Sequence, residues 1–156
     1  MKRVFLGLLL LSSLLFSSNM NYDKESECLV RHIKVYKDPA WVAKIELENG
    51  KEIFFSSPKS MFEFYFRPGK WFEMGVKSEK DFKNILVTDF STMKAVKAKG
   101  AFYVYGSNVT SPAGDDLVAF DSYAEAEAFS KKHNGKRILG FREVSDALIR
   151  LLNGRI

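Results

Sequence analysis

The sequence predicts an α+β fold made of two similar β-β-α-β lobes, followed by a C-terminal helix that closes the second lobe. The first observation is an internal repeat, because the segments EIFFSSPKSMFEFYF (52–66) and DLVAFDSYAEAEAFSKK (116–132) follow one plan. In each copy an apolar strand ends at a phenylalanine and runs into a helix that a serine precedes. The aligned positions are Phe55 with Phe120, Ser57 with Ser122 and Phe64 with Phe129.

Composition is the second observation. The chain has 156 residues, of which 46% are hydrophobic and 14% aromatic, and this is enough apolar material for a packed core. Cys28 is the one cysteine, so no disulfide can form within the chain, although one between two copies stays open. The formal charge of +5 comes from interleaved acids and bases, and no basic block of the kind that binds nucleic acid occurs.

The amino-terminal residues form a separate segment. Lys2 and Arg3 precede the apolar run 4–16, and the chain turns polar at Ser17. A charged start followed by an apolar run too short to span a bilayer comfortably is typical of a secretory signal. We therefore expect residues 1–19 to be a signal peptide and the remainder to be exported. The alternative is an uncleaved signal, which would hold the protein at the membrane by this end alone.

We assign the first lobe to residues 28–93. The stretch WVAKIELENGKEIFF predicts two strands around a turn that contains Asn49-Gly50, since Asn-Gly is the strongest short hairpin signal. A helix should follow, with Ser57 as its N-cap and Pro58 at its first position, and should end at Arg67 because Pro68 comes next. The last strand of the lobe is NILVTDF (84–90).

We assign the second lobe to residues 98–156. Its predicted strands are GAFYVYG (100–106), DLVAF (116–120) and KRILGF (136–141). Its helix should begin with a capping box of Ser122 and Glu125 and should be stopped by Gly135.

The closing helix lies in REVSDALIRLLNG (142–154), and Gly154 is a natural stop for it. We expect its apolar stripe to pack on the rest of the fold, with docking on a partner helix as the alternative. The stripe comprises Val144, Ala147, Leu148, Leu151 and Leu152.

From Cys28 to Ile138 the sequence resembles the NosL family, the nitrous oxide reductase accessory proteins of bacterial periplasms. The resemblance is carried by ordered pieces: PAWVAKIELENGKEIFF, SMFEFYF and AFYVYGSNVTSPAGDDLVAF. It implies a two-lobed fold related to that of organomercurial lyase, a periplasmic location, and delivery of copper(I) to nitrous oxide reductase.

The sequence departs from the family pattern where copper ligands are expected. The family's amino-terminal motif commonly reads Cys-Pro-Val-Cys-Gly-Met, and here the stretch from Cys28 to Ile33 reads CLVRHI. Arg31 thus stands in place of the second cysteine and adds a fixed positive charge where a cation would sit, and Ile33 stands in place of the methionine. The family's Pro-Met-Gly turn has become Pro112-Ala113-Gly114, so a thioether is lost as well.

Cys28 and His32 are the metal-ligand candidates that remain. A thiolate and an imidazole both suit copper(I), which would take a third donor from one of the methionines Met61, Met74 and Met93. A closed structural zinc site is favoured still less, because one cysteine and two histidines cannot supply the usual four Cys/His ligands.

Other side chains suggest no further chemistry. Asp115 and Asp116 point to opposite faces if they lie on a strand, so we interpret them as ordinary loop and strand-edge residues. The sequence contains no phosphate-binding glycine loop, no G-x-S-x-G elbow and no H-E-x-x-H motif, and we predict that the protein is not an enzyme.

Two functional hypotheses follow. The first is an exported NosL-like accessory protein that matures a periplasmic copper enzyme by delivering copper(I), with the copper reductase or its maturation machinery as protein partner. The second is a metal-free interaction module, which keeps the fold but has lost the copper site and pairs with a NosL-like homologue.

Overall fold

The computed structural model describes residues 20–155, so the signal peptide expected at residues 1–19 lies outside the described part of the chain. Residues 20–155 form two antiparallel sheets and three α-helices, which confirms the predicted α+β class. Within this range no helix is long and apolar enough to cross a membrane.

The first sheet has four strands in the order β2-β1-β3-β4. They are β1 (Ala43–Leu47), β2 (Glu52–Phe55), β3 (Phe82–Thr88) and β4 (Ala95–Lys97). The hairpin between β1 and β2 turns as the Asn-Gly pair predicts, with Gly50 at φ +86° and its N–H donating to the Leu47 carbonyl at 3.0 Å. The edge strand β4 was not predicted, because three residues give too little pattern to detect.

Helix α1 (Pro58–Phe66) follows β2 at once and begins and ends as the sequence predicts. The Ser57 hydroxyl accepts the Ser60 N–H at 3.2 Å, Pro58 takes the first position, and the helix stops at Arg67, before Pro68. Every residue from Pro58 to Phe64 is buried, so the helix lies inside the protein.

The second sheet has three strands in the order β6-β5-β7. They are β5 (Phe102–Tyr105), β6 (Leu117–Phe120) and β7 (Arg137–Gly140), and all three coincide with predicted strands. The two sheets meet where the Phe90 N–H donates to the Ala119 carbonyl of β6 at 2.9 Å.

Helix α2 (Tyr123–Lys132) is capped by Ser122, as predicted, but it stops differently. Asn134, not Gly135, adopts the left-handed conformation that ends it, at φ +57°. Gly135 is needed for space, because a Cβ there would lie 2.4 Å from the Ser130 hydroxyl and 2.7 Å from Val104 Cγ1.

Helix α3 (Asp146–Leu152) closes the fold by packing against α1, but the predicted apolar stripe was wrong in part. Ile149 is the fully buried residue of the helix, while Ala147 and Leu151 are exposed. Val144 precedes the helix and so does not belong to its buried face. The contact with α1 decides which face of the helix is buried.

An aromatic cluster joins helix α1 to the second sheet. The ring of Phe62 on α1 lies 5.3 Å from the ring of Tyr103 on β5 and 5.0 Å from the ring of Phe141, which follows β7. One buried core therefore runs through both sheets.

Asp89 links the turn after β3 to the end of β6 by hydrogen bonds. Its Oδ1 accepts from Ser91 and Thr92 in the turn after β3, and its Oδ2 accepts the Asp121 N–H at 2.8 Å. Burial would raise the pKa of the Asp89 carboxyl, but the hydrogen bonds outweigh burial and the pKa is lowered.

The variant Asp89→Asn keeps an acceptor for the turn but turns an amide toward the Asp121 N–H. We expect it to lower the free energy of unfolding by about 2 kcal/mol at neutral pH. In the folded protein the pKa of the Asp89 carboxyl is lower than in the unfolded chain, where the pKa of an aspartate is about 3.9. Its stabilisation is therefore present above that value and is lost as pH falls through the folded pKa.

Chemical denaturation at about pH 7 and about pH 3 tests this prediction. The difference in free energy of unfolding between the unaltered protein and Asp89→Asn should be smaller in acid. Asp38→Asn is the control, since it removes the same formal charge from an exposed position. An equal difference in free energy of unfolding at both pH values would contradict the stabilising role of the ionised Asp89 carboxyl.

Candidate functional site

The segment CLVRHI forms a tight turn against the edge of the first sheet. The Cys28 N–H donates to the Ile33 carbonyl and the His32 N–H to the Cys28 carbonyl, both at 2.9 Å. The Leu29 N–H donates to the Phe54 carbonyl of β2 at 3.0 Å, which attaches the turn to the sheet. His32 itself is exposed and adopts the left-handed conformation, at φ +56°.

The Cys28 thiol is free and fully buried at the base of this turn. Its sulfur accepts the Arg31 N–H at 3.3 Å. Cys28, His32 and Met74 together line an open pocket of about 240 Å³. The structure thus brings the two predicted ligands to one pocket and adds a methionine to them.

Met74 is the methionine, of the three considered, that lies at this pocket. Met61 is fully buried within α1, and Met93 lies half exposed on the turn after β3. Met74 ends the short helical segment Pro68–Met74, which belongs to the extra stretch between α1 and β3. Sequence reasoning named Met74 but had no signal that distinguished it from the other two.

The pocket offers sulfur and nitrogen donors more than oxygen donors. The carboxylates on its wall are engaged already, since Glu27 pairs with Lys34 at 3.0 Å and Glu52 pairs with Lys44 at 2.9 Å. Across residues 20–155 no group of three or more His, Cys, Asp or Glu side chains could hold a metal ion. A third donor beside Cys28 and His32 would therefore be the Met74 thioether, which is a soft ligand.

The Arg31 side chain is held by residues of α1 and by Asn153, which follows α3. Its guanidinium donates to the Ser60 hydroxyl at 3.3 Å and to the side-chain Oδ1 of Asn153 at 2.5 Å. It also lies 3.5 Å from a carboxylate oxygen of Glu63. Arg31 is not among the residues that line the pocket of Cys28, and the interpretation of its charge as lying where a cation would sit stays a prediction.

Glu63 explains why a cation is needed beside α1. Its carboxylate is buried and accepts from Arg155 at 2.6 Å and from the Asn153 amide at 3.0 Å. Lys70 approaches it at 3.7 Å. A buried carboxylate without such partners would be strongly destabilising, and Arg31 is one of the cations that compensate it.

The turn Pro112-Ala113-Gly114 is also occupied by internal contacts. The Ala113 carbonyl accepts a hydrogen bond from the Lys59 ammonium at 2.6 Å, and the Leu152 carbonyl accepts another at 3.3 Å. Lys59 lies in the first turn of α1 and is 1% exposed, so burial lowers the pKa of its ammonium. Two of the three positions at which sulfur has been lost, Arg31 and Ala113, therefore contact α1.

Asp116 is not an ordinary strand-edge residue, which corrects the sequence interpretation. It is buried, and its Oδ1 accepts the Lys59 N–H at 2.8 Å, so a carboxylate beside β6 caps helix α1. Its Oδ2 accepts the Ser111 hydroxyl at 2.7 Å. Burial raises the pKa of Asp116, whereas Asp115 is exposed as expected.

Comparison with known proteins agrees with this architecture. A sequence model of the NosL family matches residues 19–149. Among solved structures, the chain is similar to the copper chaperone NosL from Shewanella denitrificans, with 22% identity and a TM-score of 0.71 over 84% of this chain and 98% of that one. It is also similar to apo-NosL from Achromobacter cycloclastes, with 27% identity and a TM-score of 0.42 over 69% of this chain and 87% of that one.

No curated protein sequence matches the chain. The family match nevertheless covers most of its length, and the likeness to the Shewanella structure shows that the fold is the same. On this basis the chain belongs to the NosL family.

Proposed function

We propose that this NosL-family protein is a copper(I)-handling accessory protein that carries the ion in the pocket of Cys28, His32 and Met74. The observation that carries the proposal is that Cys28, His32 and Met74, which bear a thiol, an imidazole and a thioether, are residues of one pocket wall. Copper(I) prefers soft ligands, and this set matches that preference better than it matches zinc or a hard cation. The similar Shewanella protein is described as a copper chaperone, which supports the same cargo.

The charges around the pocket suit a monovalent cation. The thiolate of Cys28 would neutralise copper(I), and the nearby carboxylates already have lysine partners. The Arg31 guanidinium is held between α1 and α3 by Ser60, Glu63 and Asn153. The charge that argued against copper in the sequence is therefore compensated by the Glu63 carboxylate.

The finer parts of the proposal are export, a periplasmic location, and delivery of copper to nitrous oxide reductase. The charged and apolar pattern of residues 1–19 supports export, and membership of the NosL family supports the recipient. The role is that of a carrier and not of an enzyme, with the copper reductase or its maturation machinery as partner.

A second candidate function is a metal-free interaction module. Arg31 and Ala113, two of the three positions where the family pattern has a sulfur that this chain lacks, both serve contacts with α1. A chain that uses these positions for stability could keep a partner surface after giving up the ion. Its partner would be a NosL-like homologue with intact sulfur ligands.

Copper affinity distinguishes the two functions. In an anaerobic titration of the reduced protein with copper(I) against a competing chelator, we expect one ion to bind per chain. Cys28→Ala should abolish this binding, because the thiolate is the strongest donor. Met74→Leu, which keeps the volume but removes the sulfur, should weaken binding by about tenfold or more.

Met93→Leu is the matched control, since it removes a thioether that does not line the pocket and should leave the affinity unchanged. Equal binding by the Cys28→Ala variant would refute the assignment of the site. Failure of the unaltered protein to compete with the chelator would favour the metal-free module.

Transfer to a recipient tests the finer proposal. The copper-loaded protein is mixed with copper-free nitrous oxide reductase, the two are separated, and the copper content of each is measured. We expect copper to move to the reductase, and no movement from the Cys28→Ala variant. A complex with a NosL-like homologue that forms equally with and without copper, and no transfer to the reductase, would instead support the second candidate.

A further inference from the structure

The Cys28 thiol lines a pocket but cannot be reached in the observed conformation. The residue is 0% exposed, and its sulfur accepts the Arg31 N–H at 3.3 Å. A metal ion or a reagent can therefore contact the sulfur only after the turn of residues 28–33 moves. Whatever holds that turn in place controls access to the thiol.

Arg31 is placed so that it can hold the turn of residues 28–33. Its backbone N–H contacts the sulfur, while its side chain reaches out of the turn to helices α1 and α3. The guanidinium donates to Ser60 and Asn153 and pairs with the buried Glu63, so it has three partners on the two helices. A forked cation with several fixed acceptors loses little freedom per bond and anchors well.

We propose that Arg31 is a positioning residue that keeps the Cys28 turn closed, and that it thereby sets the rate at which the thiol becomes accessible and copper(I) enters. The copper part rests on the function proposed above. The part about the thiol concerns the metal-free protein and does not depend on copper.

The test begins with the metal-free protein. Because Cys28 is the one cysteine of the chain, its alkylation by iodoacetamide reports on this turn alone. We expect Arg31→Met to react faster by about tenfold or more under conditions in which the protein remains folded. The variant should fold, since Glu63 keeps Arg155 and Lys70 as cationic partners.

Asn153→Ala provides an independent variant. Asn153 lies 122 residues from Arg31 in the sequence, and its Oδ1 accepts a hydrogen bond from the Arg31 guanidinium. Removal of the Asn153 side chain therefore weakens the attachment of Arg31 without changing a residue of the turn. We expect faster alkylation here too.

The matched control is Arg67→Met, which breaks the pair with Asp146 between the same two helices but has no contact with the turn. Its alkylation rate should stay within about twofold of the unaltered protein.

An unchanged rate in Arg31→Met would overturn the proposal, and so would an equal increase in Arg67→Met, because that would indicate general loosening of α1 against α3. The copper part is measured as the rate of copper(I) uptake from a weak chelator, which should rise in Arg31→Met. Faster alkylation with unchanged uptake would overturn that part. If the unaltered protein takes up no copper, the proposed function fails, while the alkylation rates still decide the role of Arg31.

Discussion

Burial of helix α1 on every side is the constraint on which the rest of the structure depends. A helix with no solvent-facing side is normally apolar all round, yet this one carries Lys59, Ser60 and Glu63 in its buried part. Each of these groups must find a partner inside the protein, because an unpaired buried polar group costs more than most contacts contribute. The partners come from distant segments: the amino-terminal turn, the loop before β6, and the chain end after α3. Packing of these segments is therefore fixed by the polar side chains of one helix.

This constraint separates two sequence changes that look alike. Arg31 contributes its side chain to α1, and it balances a buried carboxylate, so its identity is tied to Glu63. Ala113 contributes only its backbone carbonyl, which any residue would supply to Lys59. Loss of sulfur at position 113 is thus neutral for the fold, whereas the arginine at position 31 is part of its electrostatic balance. The positive charge of this arginine is balanced by the buried Glu63 carboxylate.

The sequence predicts correctly those features of the structure that neighbouring residues decide. The Ser57 cap, the proline limits of α1 and the Asn-Gly hairpin each depend on neighbouring residues, and all were predictable. Long-range contacts decided the rest. The buried face of α3 is set by its contact with α1, and Asp116 is buried because it caps a helix 57 residues away in sequence. Selection of Met74 among the methionines likewise depends on where the segment Pro68–Met74 folds back, which periodicity does not encode.

The way the donors are held bears on how a carrier would release its ion. Cys28 and His32 share one turn, which is fixed to β2 and to α1. Met74 belongs to a different segment, held by the Trp71 ring 5.7 Å from Phe64 and by the Lys51 ammonium on the Glu73 carbonyl. In the proposed role, a recipient ligand can displace the weak thioether first and leave copper(I) on the thiolate and imidazole. Transfer then proceeds by exchange of one ligand at a time, so the ion never has to leave as a free cation. A site built from a single rigid element would lack this stepwise route.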